Sequence, residues 1–281
     1  MSQWLHNGVT VSTVSIDDRA FQYGDGLFET IAIRGGQPRL WDYHMDRLAR
    51  GCERLRLVMP DCEVLRDWLD AAVQNSNENT AHCTAKLILS SGLTERGYSR
   101  ETASEVATFI GVFGAKTIAP TQYRDGVDTI VCNTRLALFS VTAGCKTLNR
   151  LEQVLARSEF DATVAFEGLT LDADDRLICG TMSNVFIVAN DSVFTPSLER
   201  CGVAGVMRRH VIDVLSGCGI EVQVRDIGVT ELKGCDEVFL TNSQFGVLPV
   251  RRCAETVWRE HALTREIMRQ MAANKIPECA A

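Results

Sequence analysis

The chain has 281 residues, of which 46% are hydrophobic and 23% are charged, and its formal net charge is −7. This composition is typical of a globular protein with a substantial core, and the length suggests two domains. The negative charge gives no general attraction to nucleic acid or to an anionic membrane, so an anionic ligand would need a local binding site.

The first 21 residues lack the basic and apolar regions of a secretion signal, and no apolar run approaches the roughly 18 residues needed to span a bilayer. Eleven cysteines are scattered from Cys52 to Cys279 without a C-x-x-C pair, and their odd number argues against a complete disulfide framework. We therefore expect a cytoplasmic protein with reduced thiols, and neither nucleic acid nor membrane as a partner.

The first part of the chain, residues 1–113, contains strand-like and helical patterns. Strands are predicted over VTVSTV, LFETIAIR, AKLILSS and VATFIGVF, and helices over WDYHMDRLARGCERLRL and DCEVLRDWLDAAVQ. These patterns predict a small α+β domain. Residues 114–126 combine Gly, Pro and polar residues and predict an interdomain loop, which leaves residues 127–281 as a larger second domain.

The second part begins with a predicted strand, VDTIVCNTRLAL, followed by an amphipathic helix after Lys146. Turn signals in DADDR and ANDS separate short strands. A helix over GVAGVMRRHVIDVLSGCG, a strand over IEVQVRDI and the segment DEVFLTNSQFGVLPV follow. Residues 255–279 predict a terminal amphipathic helix that covers a core or contacts a subunit.

Four short motifs contain residues that could bind an anion or react. Lys146 lies at a glycine-marked junction, where a solvated surface charge is the simple alternative. CGVAGVMRR places glycines before a helix start, which can bind phosphate or serve as a packing joint. TNSQFG offers hydroxyl and backbone donors after a strand, or forms an ordinary turn. His44 and Arg47 share one helix face, where an arginine can bind phosphate or form a surface ion pair.

Metal and serine-hydrolase chemistry are disfavoured, because the chain has only five histidines, no H-E-x-x-H and no G-x-S-x-G motif. Together, the lysine, the glycine-rich helix start, the hydroxyl-rich strand end and the arginine are the groups that a pyridoxal phosphate enzyme requires.

Five segments resemble those of the fold type IV pyridoxal phosphate enzymes, both in their residues and in their order along the chain. They are DRAFQYGDGLFET, RGYS, KTLNRLEQVLAR, CGVAGVMR and FLTNSQFG. This family includes branched-chain and D-amino acid aminotransferases and 4-amino-4-deoxychorismate lyase, and the motifs look most like those of the lyase. The resemblance extends from about residue 5 to residue 252. It implies a two-domain fold of α+β and α/β parts similar to D-amino acid aminotransferase, a pyridoxal 5′-phosphate cofactor, and a homodimer with the site near the subunit interface.

The resemblance also implies roles for individual residues. Lys146 is the lysine that binds the cofactor covalently. The other residues assigned to the cofactor are Arg47, Cys179, Ser183, Asn184, Gly205, Val206, Met207, Asn242 and Ser243. Arg47, Ser243 and the backbone of Val206 and Met207 match its phosphate ligands. Candidates for substrate contacts are Arg96, Tyr98 and Thr30, with an exposed loop as the alternative for the first two.

Cys179 departs from the family pattern. In most of the family a glutamate at this position, five residues before the asparagine, pairs with the pyridine nitrogen, and a neutral thiol cannot hold that proton as a carboxylate would. Either the ring works with a less protonated nitrogen, which β-elimination tolerates better than transamination, or another acid reaches the site. A third alternative is a catalytically silent binding protein.

The resemblance therefore predicts a lyase that converts 4-amino-4-deoxychorismate into 4-aminobenzoate and pyruvate for folate precursor synthesis. Lys146 would remove the ring proton and then serve as a proton donor. The enzyme alternative is an aminotransferase acting on D-amino or branched-chain substrates.

Overall fold

The computed structural model describes residues 4–101, 105–138 and 141–280. The chain divides into two compact units. The first unit contains Met1–Lys116 and Cys145–Asn149, and the second contains Thr117–Gly144 and Arg150–Ala281. The chain thus passes from the second unit to the first and back again around Lys146.

The described part of the first unit contains a six-stranded antiparallel sheet in the order β2-β1-β6-β5-β3-β4. Its elements are β1 (Trp4–His6), β2 (Val9–Val11), α1 (Arg19–Tyr23), β3 (Gly26–Arg34), β4 (Gln37–Pro38), α2 (Trp41–Leu55), α3 (Cys62–Gln74), β5 (His82–Ser90) and β6 (Ala107–Gly114). Helices α2 and α3 contribute buried residues to one hydrophobic core with this sheet.

Strand β3 separates two chemical environments, because successive side chains of a strand point to opposite faces. Leu27 and Ile31 are buried in the core shared with α2 and α3. Glu29 lies between them in the sequence and on the same face, whereas Phe28 and Thr30 lie on the opposite face. The register of β3 therefore places a carboxylate in an apolar core.

Helix α2 crosses β3 closely at Gly51. A Cβ atom at this position would lie 2.8 Å from Cδ1 of Leu27, which is closer than carbon atoms pack. The missing side chain therefore allows the approach of helix to strand. This approach brings the buried face of α2 against the core face of β3.

The described part of the second unit contains a mixed sheet in the order β12-β11-β10-β13-β14-β7-β8-β9, with β15 paired to β14. Its elements are α4 (Pro120–Asp125), β7 (Val127–Leu136), α5 (Leu151–Arg157), β8 (Glu167–Asp172), β9 (Leu177–Gly180), β10 (Asn184–Ala189), β11 (Ser192–Pro196), α6 (Val206–Gly217), β12 (Val222–Arg225), a 3₁₀ helix (Val229–Lys233), β13 (Glu237–Asn242), β14 (Gly246–Cys253), β15 (Thr256–Val257), α7 (Ala262–Ala273) and a second 3₁₀ helix (Pro277–Ala280).

Two predicted boundaries were wrong. Residues 114–126 are not one continuous loop, because α4 occupies Pro120–Asp125 and begins with proline, a residue whose fixed φ suits the first helical position. Terminal helix α7 is shorter than predicted, since part of the preceding segment pairs with β14 as β15.

The position of Lys146 also differs from the prediction of a lysine within the larger second domain. Residues 145–149 belong to the first unit and the following helix starts only at Leu151. The reason is that the lysine segment pairs with β3 through its backbone. The amide of Phe28 donates to the carbonyl of Lys146 at 2.9 Å, and the amide of Leu148 donates to the carbonyl of Gly26 at 3.0 Å. These bonds hold the lysine segment in an extended form.

No helix in the described residues is both long and apolar enough to cross a membrane. All eleven cysteines, each within the described ranges, are free thiols, and nine of them are buried. These thiols therefore act mainly as small apolar core groups.

A stacked aromatic pair lies in the core of the second unit. Phe186 of β10 and Phe239 of β13 are fully buried, and their ring centroids are 4.7 Å apart. We predict that Phe186→Ala lowers the free energy of unfolding by about 3–5 kcal/mol, because a buried ring is replaced by a cavity. Urea unfolding would measure this, with Val224→Ala in β12, where the side chain is 51% exposed, as a control expected to change it by less than about 0.5 kcal/mol. Equal effects of the two variants would contradict the assignment.

Candidate active site

A buried group of three charged or polar side chains joins β3 to α2. Glu29, whose side chain is 1% exposed, accepts hydrogen bonds from Nδ1 of His44 at 2.6 Å and from Nε of Arg47 at 2.8 Å. A second nitrogen of Arg47, Nη2, also donates to Glu29. The guanidinium of Arg47 therefore binds the carboxylate through two donors, and these two bonds fix the orientation of the guanidinium.

The charge state of this group follows from its surroundings. Burial by itself raises the pKa of Glu29, but the charge of Arg47 and the hydrogen bonds from Arg47 and His44 outweigh burial and lower the pKa to about 2. Burial lowers the pKa of His44, and the positive charges of Arg47 and Lys146 add to this effect against the opposing influence of Glu29. At neutral pH the group is thus an ionised Glu29, a charged Arg47 and a neutral His44 that donates through Nδ1.

The opposite face of β3 carries two amines near one aromatic ring. The Nζ atom of Lys146 lies 4.2 Å from the ring centroid of Phe28, and Nζ of Lys86 lies 5.1 Å from the same centroid. Lys86 is the cross-strand partner of Thr30 in the pairing of β3 with β5. The structure therefore places Thr30 and Lys146 on the side of the sheet away from Glu29, and adds Lys86, which the sequence analysis did not identify.

A buried arginine, Arg19, forms hydrogen bonds with the backbone of the loop that contains Arg96 and Tyr98. Arg19 donates to the carbonyl oxygens of residues 97–99 at 3.0–3.1 Å and to Asp25 at 2.8 Å. Tyr98 itself is 86% exposed, and Arg96 is also exposed. The backbone of this loop is anchored while its two candidate side chains remain accessible.

In the second unit, the start of α6 lies against Asn184. A Cβ atom on Gly205 would lie only 1.9 Å from Oδ1 of Asn184, and Nδ2 of Asn184 donates to the carbonyl of Val203 at 2.9 Å. A larger residue at this position would displace the Asn184 side chain. The amides in the first turn of a helix have no partner within that helix, so residues 206–208 offer donors suited to an anion.

Arg208 adds positive charge to this helix start. Its side chain donates to the hydroxyl of Thr195 at 3.2 Å and to the carbonyl of Pro196 at 3.1 Å, both of which are neutral. Burial lowers the pKa of Arg208 to about 10, so the guanidinium keeps its charge at neutral pH. The arginine and the helix dipole both favour a negative ligand here.

The strand ends around Asn242 form a compact turn. Strand β10 pairs with β13 so that Asn184 lies opposite Thr241. Oδ1 of Asn242 accepts hydrogen bonds from the amides of Gln244 at 2.8 Å and Phe245 at 3.0 Å. Asn242 therefore shapes the hairpin that carries Ser243.

A second buried carboxylate organises the turn before Asn184. Glu167 of β8 accepts from the hydroxyl of Ser183 at 2.7 Å, from the hydroxyl of Thr181 at 2.5 Å, and from the amides of Gly168 and Thr181 at 3.0 Å. Burial raises the pKa of Glu167 above its ordinary value despite these hydrogen bonds. No local sequence pattern marks Glu167, since its hydroxyl partners lie 14 and 16 residues further along the chain.

Burial keeps the thiol of Cys179 neutral. It is buried in β9, its Sγ lies 3.4 Å from Oγ1 of Thr170, and burial raises its pKa to about 11. A thiol with this pKa is protonated at neutral pH, so it carries no negative charge.

The structure thus brings one set of predicted residues together within each unit. In the second unit these are Cys179, Ser183, Asn184, Gly205, Val206, Met207, Asn242 and Ser243, which lie at the ends of β9, β10 and β13 and at the start of α6. In the first unit they are Thr30, Arg47 and Lys146 around β3, with Arg96 and Tyr98 on the anchored loop.

Residues 26–253 match the family model described as Amino-transferase class IV. An aminodeoxychorismate lyase of Vibrio harveyi is 38% identical over 88% of this chain and 89% of its own length. The crystal structure of 4-amino-4-deoxychorismate lyase from Pseudomonas aeruginosa superposes with a TM-score of 0.91 at 39% identity, covering 97% of this chain and 99% of that one. A D-alanine aminotransferase of Listeria monocytogenes is 27% identical over 85% of this chain and 82% of its own. The predicted fold is therefore confirmed, and the chain belongs to the class IV aminotransferase family.

Proposed function

We propose that this protein is a pyridoxal 5′-phosphate-dependent lyase that converts 4-amino-4-deoxychorismate into 4-aminobenzoate and pyruvate. The observation that carries the proposal is the identity of 38% and 39% to two lyases of this name over nearly the whole chain, against 27% to a D-alanine aminotransferase. The arrangement of residues within each unit supports it.

The side chains present fit this cofactor. Lys146 supplies a primary amine, and Arg47 supplies a guanidinium held in one orientation by Glu29. Gly205 caps the N-terminus of α6, where the first amides have no partner within the helix and can bind a small anion. We assign the cofactor phosphate to Arg47, Ser243 and the backbone of Val206 and Met207. Gly205, Ser183, Asn184, Asn242 and Cys179 complete the proposed cofactor-binding set. When bound, pyridoxal phosphate supplies an aldehyde for an amine and a ring that accepts electrons.

Lys146 has the central chemical role in this proposal. Its amine takes the proton from the substrate ring carbon that bears nitrogen, and then donates a proton as the enolpyruvyl ether leaves. An ordinary lysine, with a pKa near 10.4, is protonated at neutral pH and cannot accept a proton. The proposed role therefore requires a site that holds this amine neutral when it accepts the proton, and Nζ of Lys146 lies 4.2 Å from the centroid of the apolar Phe28 ring.

The substrate carries two carboxylates, which need cationic or hydroxyl partners. Lys86 and Thr30 are neighbours on one sheet face, and Arg96 and Tyr98 project from the loop that Arg19 anchors. We assign the substrate carboxylates to these side chains. The Arg19 anchor fixes the loop backbone, so that binding does not have to order the whole segment.

The neutral thiol of Cys179 favours the lyase over an aminotransferase. Transamination relies on a strongly protonated pyridine nitrogen, and a thiol with a pKa of about 11 supplies no negative charge to keep it so. Elimination from this substrate yields an aromatic ring, which supplies driving force of its own. The similarity to D-alanine aminotransferase keeps transamination as the second candidate activity.

The proposed setting is the cytoplasm, on the pathway that makes the folate precursor 4-aminobenzoate, where an upstream synthase supplies the substrate. Nine buried free thiols suit a reducing compartment. We further propose a homodimer. Val14, Ile16 and Phe21 of the first unit are large apolar side chains with 49%, 71% and 66% exposure, next to an apolar cavity, and a second copy would cover them.

Replacement of Lys146 tests the proposed role of its amine. Wild-type protein given enzymatically generated 4-amino-4-deoxychorismate should release 4-aminobenzoate and pyruvate in equal amounts, and Lys146→Ala should lower both rates by at least about a hundredfold. Lys116→Ala removes an exposed lysine outside the proposed site and should retain wild-type rates. The two products are measured by chromatography and by a coupled pyruvate assay.

The lyase proposal would be contradicted if wild-type protein binds pyridoxal phosphate but releases neither 4-aminobenzoate nor pyruvate. Amino-group transfer from D-alanine to a keto acid under the same conditions would then assign the aminotransferase activity.

The variant Cys179→Ser tests whether the buried thiol acts only as a neutral group. The hydroxyl is neutral like the buried thiol and can keep the hydrogen bond to Thr170, so kcat/KM should stay within about threefold of wild type from about pH 6 to about pH 9. A pH–rate profile of both proteins measures this. A loss of more than about a hundredfold in the serine variant would show that the thiol acts as a charged or nucleophilic group, contrary to its raised pKa.

A further inference from the structure

The second unit contains a surface cavity of about 470 Å³ whose lining includes none of the residues assigned to the cofactor or the substrate. It lies between α4, the end of β14 and the start of α7. Its volume is that of a small-molecule site. The indole of Trp258 forms part of its wall, and Nε1 of that side chain is engaged with the carbonyl of Cys235 at 3.0 Å.

The lining of this cavity is strongly basic in a protein of net charge −7. It includes five arginines: Arg124, Arg251, Arg252, Arg259 and Arg265. Among the residues that the structure describes, two carboxylates, Asp125 and Asp128, accompany them in the lining.

The two carboxylates do not neutralise the arginines. Arg124 pairs with Asp125 at 2.7 Å, and both Arg251 and Arg252 pair with Asp128 at 2.7 Å. Arg259 and Arg265 form no ion pair with any residue in 4–101, 105–138 or 141–280. Nη2 of Arg265 donates to the carbonyl of Arg124 at 3.0 Å, and because this acceptor is neutral it does not balance the charge of the guanidinium. Guanidinium groups bind phosphate and carboxylate through paired donors.

His261 provides an independent sign that the cavity takes a ligand. This residue lines the cavity, is only 4% exposed, and neither of its ring nitrogens has a hydrogen-bond partner among the residues that the structure describes. The nearby carboxylate of Glu237 instead accepts from the amides of Leu263 at 2.9 Å and Thr264 at 2.7 Å. A buried donor without a partner is costly, and an oxygen atom of a ligand would satisfy it.

We propose that this cavity binds a small oxyanion with at least two negative charges, held by Arg259 and Arg265 and by a ring N–H of His261. Burial lowers the pKa of His261, so its ring is neutral at neutral pH and presents one N–H donor. A phosphate compound and a di- or tricarboxylate share the required chemistry. The site is separate from the proposed lyase chemistry, so its presence does not depend on that function.

Calorimetric titration of the protein loaded with pyridoxal phosphate, and then freed of excess cofactor, tests the proposal. Loading fills the proposed cofactor site, so that an added anion cannot bind there. Inorganic pyrophosphate and citrate, titrated separately at low salt, distinguish a phosphate ligand from a carboxylate ligand. We expect at least one of the two anions to bind at one saturable site per chain. The anion with the lower dissociation constant shows whether the ligand is a phosphate compound or a carboxylate.

The variant Arg259→Gln/Arg265→Gln should weaken binding of that probe by at least about tenfold, because it removes the two unpaired charges. Arg269→Gln changes an exposed arginine of α7, the helix that carries Arg265. Arg269 does not line the cavity, so this variant should leave the affinity unchanged. His261→Phe keeps a ring of similar shape without nitrogens, and should weaken binding by at least about threefold without lowering the thermal midpoint of unfolding.

No saturable binding of either probe to wild-type protein would overturn the proposal. An equal loss of affinity in Arg269→Gln would also overturn it, since binding would then reflect only general charge. Unchanged binding in His261→Phe would show that the histidine does not contact the anion and would contradict that part of the proposal. The arginine variants test the cavity even if the histidine variant fails to fold.

Discussion

The ionised carboxylate of Glu29 is the constraint on which the first unit depends. It lies on the core face of β3, where a charge is tolerated only if it is paired and hydrogen-bonded, and Arg47 and His44 of α2 supply both conditions. Because its folded pKa is about 2 against an ordinary 4.5, the pairing stabilises the fold above about pH 4.5, and this contribution of about 3 kcal/mol is lost as the pH falls toward 2. The same register places Phe28 and Thr30 on the opposite face.

The second unit uses a buried carboxylate differently. Glu167 accepts hydrogen bonds from neutral hydroxyls and amides, and burial raises its pKa, whereas the pKa of Glu29 is lowered by a cation. Glu167 thereby shapes the turn that leads to Ser183 and Asn184. Its oxygens are occupied by that turn, and the neighbouring Cys179 is neutral. Under the proposed assignment of Cys179 to the position beside the pyridine nitrogen, a neutral group there suits an elimination that ends in an aromatic product, and this is a physical reason for proposing the lyase over an aminotransferase.

Sequence patterns predicted the features that depend on residues close together in the chain. His44 and Arg47 lie on one helix face as their spacing indicated, and the glycine before α6 marks a helix start as predicted. The pattern did not identify Glu29 or Glu167, because their partners lie about 14 to 18 residues away and meet them only after strands and helices have packed. Backbone pairing with β3 likewise determined the unit to which Lys146 belongs, and periodicity carries no information on such pairing.

The most direct test of this account is the dissociation constant for pyridoxal phosphate of Glu29→Gln, measured by absorbance titration beside wild type and Glu53→Gln. Glu53 is an exposed glutamate on the same helix as Arg47 and serves as the matched control. If Glu29 holds Arg47 in position for the cofactor phosphate, Glu29→Gln weakens binding by at least about tenfold and the control does not. Equal or tighter binding in Glu29→Gln would contradict the account, because it would show that the carboxylate competes with the phosphate for Arg47.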